Sequence, residues 1–156
     1  MTAPIDLPAE LFVAIDHTGI AVPDLDEAIA FYQSAYGMTV FHTETNEEQG
    51  VVEAMVGYPG TEVAGGNPSA IQLLAPLSHD STIARFIDRN GPGLQQLALR
   101  VTDVEAAMEA VKAQGLRLLY DAPRRGTSNS RINFVHPKDA GGVLLELVEP
   151  AQGGAH

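Results

Sequence analysis

Four polar side chains interrupt stretches that are otherwise apolar. Gln72 lies between Ile71 and Leu73 in a run that is apolar from Ala70 to Pro76, and Glu146 is the lone polar residue in Val143-Leu-Leu-Glu-Leu-Val148. Side chains alternate faces along a strand, so Gln72 and Glu146 point away from their apolar neighbours. By the same parity His17 opposes Ile20 and Val22, and Gln96 opposes Leu97 and Leu99. A buried, unpaired carboxylate is very costly, so such a group is paired or bound to a metal. Taken singly, each of the four reads as a hydrogen-bonded strand residue. Taken together, an imidazole, two carboxamides and a carboxylate form an N/O donor set suited to a borderline or hard divalent ion such as cobalt, manganese, zinc or magnesium. The chain has no cysteine, which excludes a thiolate metal site, a disulfide framework and a cysteine nucleophile.

The elements that must position these residues come in two copies. His17-Thr-Gly-Ile-Ala-Val22-Pro-Asp24-Leu-Asp-Glu-Ala28 and Gln96-Leu-Ala-Leu-Arg-Val101-Thr-Asp103-Val-Glu-Ala-Ala107 align at an offset of 79, matching Val22 with Val101, Asp24 with Asp103 and Ala28 with Ala107. Each reads as a strand, a break and a helix opened by an Asp N-cap, and each helix runs to a glycine, Gly37 or Gly115. The closing strands also correspond, Ile71-Gln72-Leu-Leu-Ala-Pro76 with Leu145-Glu146-Leu-Val-Glu-Pro150. Each copy reads as strand, helix and three strands: about 13–22, 24–36, 38–45, 50–57 and 69–76, then 94–101, 103–114, 116–121, 131–135 and 143–149. A helix over 80–90, capped by Asp80 or Ser81, joins the copies, and 58–68 and 122–130 read as loops. The expected architecture is α+β, a single domain over 1–156 of two βαβββ modules (about 13–76 and 94–150) whose mixed sheets curl around a shared cleft. The repeat equates His17 with Gln96 and Gln72 with Glu146, so a pseudo-twofold axis would bring all four to that cleft.

Composition narrows the partners. With 156 residues, 45% of them hydrophobic, the chain suffices for one domain with a real core. Its net charge of −11 argues against nucleic acid or an anionic membrane surface as partner. No apolar run is long enough for a transmembrane helix, the first ten residues do not read as a secretory signal, and the lack of cysteine makes the cytoplasm the expected location. Residues 1–84 carry twelve acids and no base, whereas Arg117, Arg124, Arg125, Arg131 and Lys138 fall within 22 positions. That basic segment is the expected contact for an anionic ligand.

Longer motifs carry a family resemblance. They are Asp16-His-Thr-Gly-Ile-Ala-Val-Pro-Asp-Leu-Asp26, Asn46-Glu-Glu-Gln-Gly-Val51, Ile71-Gln-Leu-Leu-Ala-Pro76, Arg117-Leu-Leu-Tyr-Asp-Ala-Pro-Arg-Arg-Gly126, Arg131-Ile-Asn-Phe-Val-His-Pro-Lys138 and Gly142-Val-Leu-Leu-Glu-Leu-Val-Glu149. Over about 13–150 the chain resembles the methylmalonyl-CoA epimerases of the vicinal oxygen chelate (glyoxalase I-like) superfamily. The resemblance implies divalent metal ligands at His17, Gln72, Gln96 and Glu146. It also implies an isomerase that inverts the α-carbon of an acyl-CoA through a metal-stabilised enolate, with Glu48 and Glu146 as the acid/base pair. Substrate phosphates would fall to Arg124, Arg125, Arg131 and Lys138, and small repeats of this kind are expected to form homodimers.

Where the family has Gly-Leu-His-His, this chain has Gly93-Leu94-Gln95-Gln96, and a carboxamide in place of imidazole favours harder ions. Spacing by itself does not distinguish Glu47 from Glu48 as the base. Two other readings stay open on sequence grounds. One is a divergent isomerase, lyase or cyclase on another acyl thioester; the other is a metal-free small-molecule sequestering protein, for which a buried carboxylate has little use.

Overall fold

In a computed structural model the described residues are 10–62 and 68–152; residues 1–9, residues 63–67 of the 58–68 loop and residues 153–156 lie outside them. The first module comprises β1 (Phe12–Ala21), α1 (Leu25–Tyr36), β2 (Thr39–Asn46), β3 (Val51–Glu62) and β4 (Pro68–Pro76). After α2 (Thr82–Asn90) come β5 (Gly93–Val101), α3 (Val104–Ala113), β6 (Arg124–Arg125), β7 (Arg131–Val135) and β8 (Leu144–Glu149). One curled eight-stranded sheet runs β2-β3-β4-β1-β5-β8-β7-β6. β1 lies parallel to β4 and β5 parallel to β8, while β1 and β5 pair antiparallel at the seam between the modules.

Local chemistry opens and closes the helices. Asp24 accepts from the Glu27 amide, Ser81 from Ala84 and Asp103 from Glu105 and Ala106, each supplying a partner for otherwise orphaned first-turn donors. Gly37 ends α1 at φ 68°, a left-handed conformation that glycine adopts without steric cost.

The period of two separates the faces of the sheet. Leu73, next to Gln72, packs under α1 with Val22, Ala54 and Val56; Leu147, next to Glu146, packs under α3 with Val104, Ala107, Met108 and Val111. α2 instead places Ile83 against Ala21, Val51 and Leu74 at the mouth of the concave side. None of the helices in the described residues is long and apolar enough to cross a membrane.

Three elements depart from the sequence reading. β3 runs on to Glu62, into the stretch read as loop. The stretch 116–121 is not a full strand: a Leu118–Val135 bridge forms, flanked by Leu119 N–H to the Phe134 carbonyl and His136 N–H to the Arg117 carbonyl (2.9 Å each), and the pairing stops at Tyr120, whose amide (3.2 Å) and carbonyl (2.9 Å) are both bonded by the Asn133 carboxamide. The strand pairing on that edge of β7 moves to Arg124–Arg125, inside the predicted 122–130 loop.

Leu73 and Leu147 are fully buried, so Leu73→Ala and Leu147→Ala should each lower unfolding stability by about 2–5 kcal/mol in urea denaturation. Losses below about 1 kcal/mol would show that the helix-covered face is not the packed core.

Candidate active site

The seam between β1 and β5 sets the site. Across it His17 pairs with Ala98, and Gly19 with Gln96, so each large polar side chain faces a small residue. The parallel pairs repeat the arrangement: Gly19 stands beside Gln72, and Ala98 beside Glu146. A Cβ at Gly19 would stand 2.5 Å from Gln96 Cγ, so only glycine leaves room for this glutamine over the seam. His17, Gln72, Gln96 and Glu146 are all buried and meet on the concave face. Gln96 Nε2 donates to Glu146 Oε1 (2.8 Å) and Gln72 Oε1 (3.2 Å), and His17 Nε2 lies 3.2 Å from Glu146 Oε1.

A bulge in β1 supports the histidine. Ile15 pairs with Leu99 and His17 with Ala98, leaving Asp16 as the extra residue, and both Asp16 and His17 turn inward. Asp16 Oδ1 is 2.7 Å from His17 Nδ1, and Arg100 Nε donates to Asp16 Oδ2 at 2.7 Å. Burial by itself would lower the His17 pKa, but its hydrogen bonds to Asp16 and Glu146, reinforced by their charges, push it up to about 10. In this state His17 is an imidazolium that donates through both nitrogens.

Glu53, which the sequence reading passed over, completes the cluster. It is 2% exposed, and it accepts from Thr127 Oγ1 (2.5 Å) and Gln72 Nε2 (3.0 Å), while Gln72 Nε2 also reaches Thr127 Oγ1 at 2.7 Å. Burial pushes the Glu53 carboxyl up to about 7, against the Thr127 hydrogen bond, with the Glu44 and Glu146 charges adding to the rise. Glu53 was detectable by the signal that picked out Gln72 and Glu146, since it is the only charged residue in Val51-Val-Glu-Ala-Met-Val56. The repeat did not flag it, because the register of β3 on β4 and of β7 on β8 equates Glu53 with Ile132.

Thr127 is held from the opposite module. Glu44 on β2 accepts from the Ser128 amide (2.8 Å), Arg125 Nη2 (3.3 Å) and the His42 ring (2.7 Å). Ser128 and Asn129 follow in the left-handed region, at φ 54° and 60°, a backbone that persists where surrounding contacts impose it.

The structure brings His17, Gln72, Gln96 and Glu146 together but not Glu48. That side chain lies on the β2–β3 turn, 40% exposed and 3.7 Å from Arg124 Nη1, and it does not line the cavity. The cavity, about 80 Å³, is lined by Glu53, Gln72, Gln96, Thr127 and Glu146 among others. The expected phosphate contacts are engaged elsewhere. Arg131 pairs with Glu105 (2.7 Å), Arg125 with Glu44, and Arg124 stacks 4.3 Å over the Tyr120 ring. Lys138 makes no ion pair among the described residues, its backbone amide donating to His136 Nδ1.

The donor set fits a cation. Gln72 Oε1, Glu146 Oε1 and His17 Nε2 converge within 3.5 Å of Gln96 Nε2, and Asp16 on Nδ1 leaves Nε2 as the ligating nitrogen once it is deprotonated. Among the described residues there is no cluster of three His, Cys, Asp or Glu side chains, because two of the four donors are carboxamides. Gln96 now presents Nε2 to the other three donors and would serve as a ligand only by turning its carboxamide oxygen inward.

Two outcomes follow for metal binding. Uptake of a divalent ion must displace the His17 proton, so affinity rises by about tenfold per pH unit in the range below the His17 pKa of about 10. Calorimetry in two buffers of different ionisation enthalpy reads that proton release. Gln96→His should tighten cobalt or zinc by about tenfold, equivalent to about 1.4 kcal/mol, in chelator competition; unchanged affinity would place residue 96 outside the ligand set.

Residues 16–134 match the Glyoxalase/Bleomycin resistance protein/Dioxygenase superfamily. A crystal structure of methylmalonyl-CoA epimerase from Mycobacterium tuberculosis is 53% identical, covering 94% of this chain and 93% of that one, with a TM-score of 0.83. A methylmalonyl-CoA epimerase solved in complex with methylmalonyl-CoA and NH4+ is 46% identical over 93% of this chain and 99% of that one, with a TM-score of 0.86. The ethylmalonyl-CoA/methylmalonyl-CoA epimerase of Cereibacter sphaeroides is 34% identical over 85% of this chain and 95% of its own length. With the concave-face cluster in view, these similarities show that the chain belongs to the glyoxalase/bleomycin resistance protein/dioxygenase superfamily and, within it, to the methylmalonyl-CoA epimerases.

Proposed function

We propose that this protein epimerises methylmalonyl-CoA or a closely related 2-substituted malonyl thioester, with Glu53 and Glu146 as the two acid/base groups. The observation that carries the assignment is the chain Glu53–Gln72–Gln96–Glu146. Two buried carboxylates, one from each module, line the same cavity and are joined through two carboxamides. Inversion at an α-carbon requires a proton to leave one face of the planar enolate and another to arrive on the opposite face. Carboxylates from opposite halves of a curled sheet suit that geometry.

Starting from Glu53 ionised and Glu146 protonated, Glu53 takes the α-proton, the C–H electron pair moves into the thioester, and Glu146 delivers its own proton to the other face; the product state, Glu53 protonated and Glu146 ionised, serves the other epimer in reverse. A carboxyl held at about 7 is matched to this work, because it exchanges protons readily at neutral pH. Thr127 and Gln72 hold the Glu53 carboxylate at both oxygens, which fixes where its lone pairs point. A divalent ion bound by His17, Gln72, Gln96 and Glu146 would supply Lewis-acid stabilisation of the enolate oxygen. The methylmalonyl-CoA and NH4+ bound to one relative support an acyl thioester and a cation as the ligands of this site.

The proposal extends to a cytoplasmic homodimer. A second copy would cover exposed apolar side chains such as Ile15, Phe31 and Leu94.

The deciding experiment is solvent-deuterium incorporation at the α-carbon of methylmalonyl-CoA, followed by NMR on chelated protein and after cobalt, manganese or magnesium is restored. Glu53→Gln should slow exchange by about 10²–10⁴-fold while substrate still binds, and Glu48→Gln should leave exchange within about twofold of the parent. Exchange retained in Glu53→Gln but lost in Glu48→Gln would return the base to the β2–β3 turn.

A further inference from the structure

The curled sheet has two edges, β2 and β6, and among the described residues β2 ladders only with β3 and β6 only with β7. Side chains join the edges instead. His42, Glu44 and Asn46 alternate along β2 and so share a face, while Thr43 and Thr45 between them are exposed. Asn46 Nδ2 donates to the Arg125 carbonyl at 3.3 Å, and Glu44 accepts from the Ser128 amide and from Arg125 Nη2. His42 Nε2 lies 2.7 Å from Glu44 Oε1 and 3.2 Å from Ser128 Oγ. One face of one edge strand thus grips residues 125–128 at the other edge.

The gripped segment carries Thr127. Glu53 and Gln72 belong to one module, on neighbouring strands whose register sets Glu53 opposite Leu74 and Gln72 opposite Met55, so ladder bonds fix their approach. Among the described residues no ladder ties Thr127 to Glu53. It arrives from the second module, and its hydroxyl donates to Glu53 Oε1 while Gln72 donates to Oε2. Ser128 and Asn129, directly after it, both stand in the left-handed backbone region, which non-glycine residues hold where contacts impose it. Those contacts are the grip on the Ser128 amide and hydroxyl, and the 2.9 Å bond from Arg125 Nε to Asn129 Oδ1. The strained backbone therefore begins one residue from the hydroxyl that steadies a buried carboxylate.

We propose that Glu44 and His42 are positioning residues for proton transfer: they close the sheet edge to edge and so hold the Thr127 hydroxyl on Glu53. Neither lines the cavity, so both act through Thr127 rather than on substrate. With one hydrogen bond to each oxygen, the Glu53 carboxylate keeps a fixed set of free lone pairs for the α-proton. Released from the grip, residues 127–129 relax, the hydroxyl withdraws, and Glu53 pivots about its remaining bond to Gln72. Misplacement of a reacting group by about 1 Å costs on the order of 10²-fold in rate. The role rests on the reading of Glu53 as an acid/base group.

A double-mutant cycle on α-proton exchange into deuterium oxide, with methylmalonyl-CoA as substrate, separates positioning from a merely structural role. Glu44→Ala and Thr127→Val should each lower kcat by about tenfold or more, with KM within about twofold of the parent. Adding Glu44→Ala to Thr127→Val should cost less than about a further twofold, because the hydroxyl it positions is gone. Glu44→Gln, whose carboxamide oxygen still accepts the Ser128 amide, should keep kcat within about threefold of the parent. If Glu44→Ala does not fold, His42→Ala takes its place in the cycle. Losses that multiply in the double variant overturn the proposal, as does parent kcat in folded Glu44→Ala. Amide hydrogen exchange gives a readout independent of turnover: the Ser128 N–H should exchange about tenfold faster in Glu44→Ala. Unchanged protection overturns the grip. Faster amide exchange there, alongside α-proton exchange that survives Glu53→Gln, retains the grip and sinks the Glu53 reading.

Discussion

Burying charge inside a curled sheet is the constraint on which this structure depends. Asp16, Glu53 and Glu146 are carboxylates withdrawn from water on or beside the concave face, and each needs a partner to remain there. Arg100 and a protonated His17 balance Asp16 and Glu146, through contacts of 2.7 Å to Asp16 and 3.2 Å to Glu146. Among the described residues Glu53 is left with a hydroxyl and a carboxamide but no cation in contact, and burial raises its proton affinity. The acid/base character assigned to Glu53 and the basicity of His17 therefore come from one balance of buried charges.

Meeting that balance dictates fine details of the scaffold. The β1 bulge lets Asp16 and His17, adjacent in sequence, both turn inward, so the carboxylate can orient the imidazole. Gly19 and Ala98 keep the seam low enough for Gln96 and His17 to lie over it. On the reverse face Leu73 of β4 and Leu147 of β8, the neighbours of Gln72 and Glu146, anchor those strands under α1 and α3. One residue of shift in either strand would exchange cavity and core faces, so the register that builds the core also builds the site.

The two modules are tied together by polar contacts as well as by the β1–β5 ladder. Glu44 from the first module holds Arg125 and Ser128 of the second, and this clasp delivers the Thr127 hydroxyl to Glu53.

The sequence by itself determined the doubled βαβββ plan, the capped helices and the four polar positions that meet at the seam, because strand parity and internal repetition are local or periodic signals. It also carried the mark of Glu53, a lone charge in an apolar strand, but the repeat pairs that position with Ile132 and so gave it no symmetric echo. Only the tertiary structure decided that Glu48 faces solvent while Glu53 faces the cavity. Turn and strand residues five positions apart are separated by the end of the β2–β3 hairpin, not by their chemistry. The same holds for the basic segment. Arg125 is neutralised by Glu44 from 81 residues away, and Arg131 by Glu105 from 26. The strand foreseen at 116–121 is cut short at Tyr120, where the Asn133 carboxamide takes both backbone groups, a competition that appears only when β7 lies beside it. Pairings between distant residues depend on how the sheet closes, and composition along the chain holds no record of that closure.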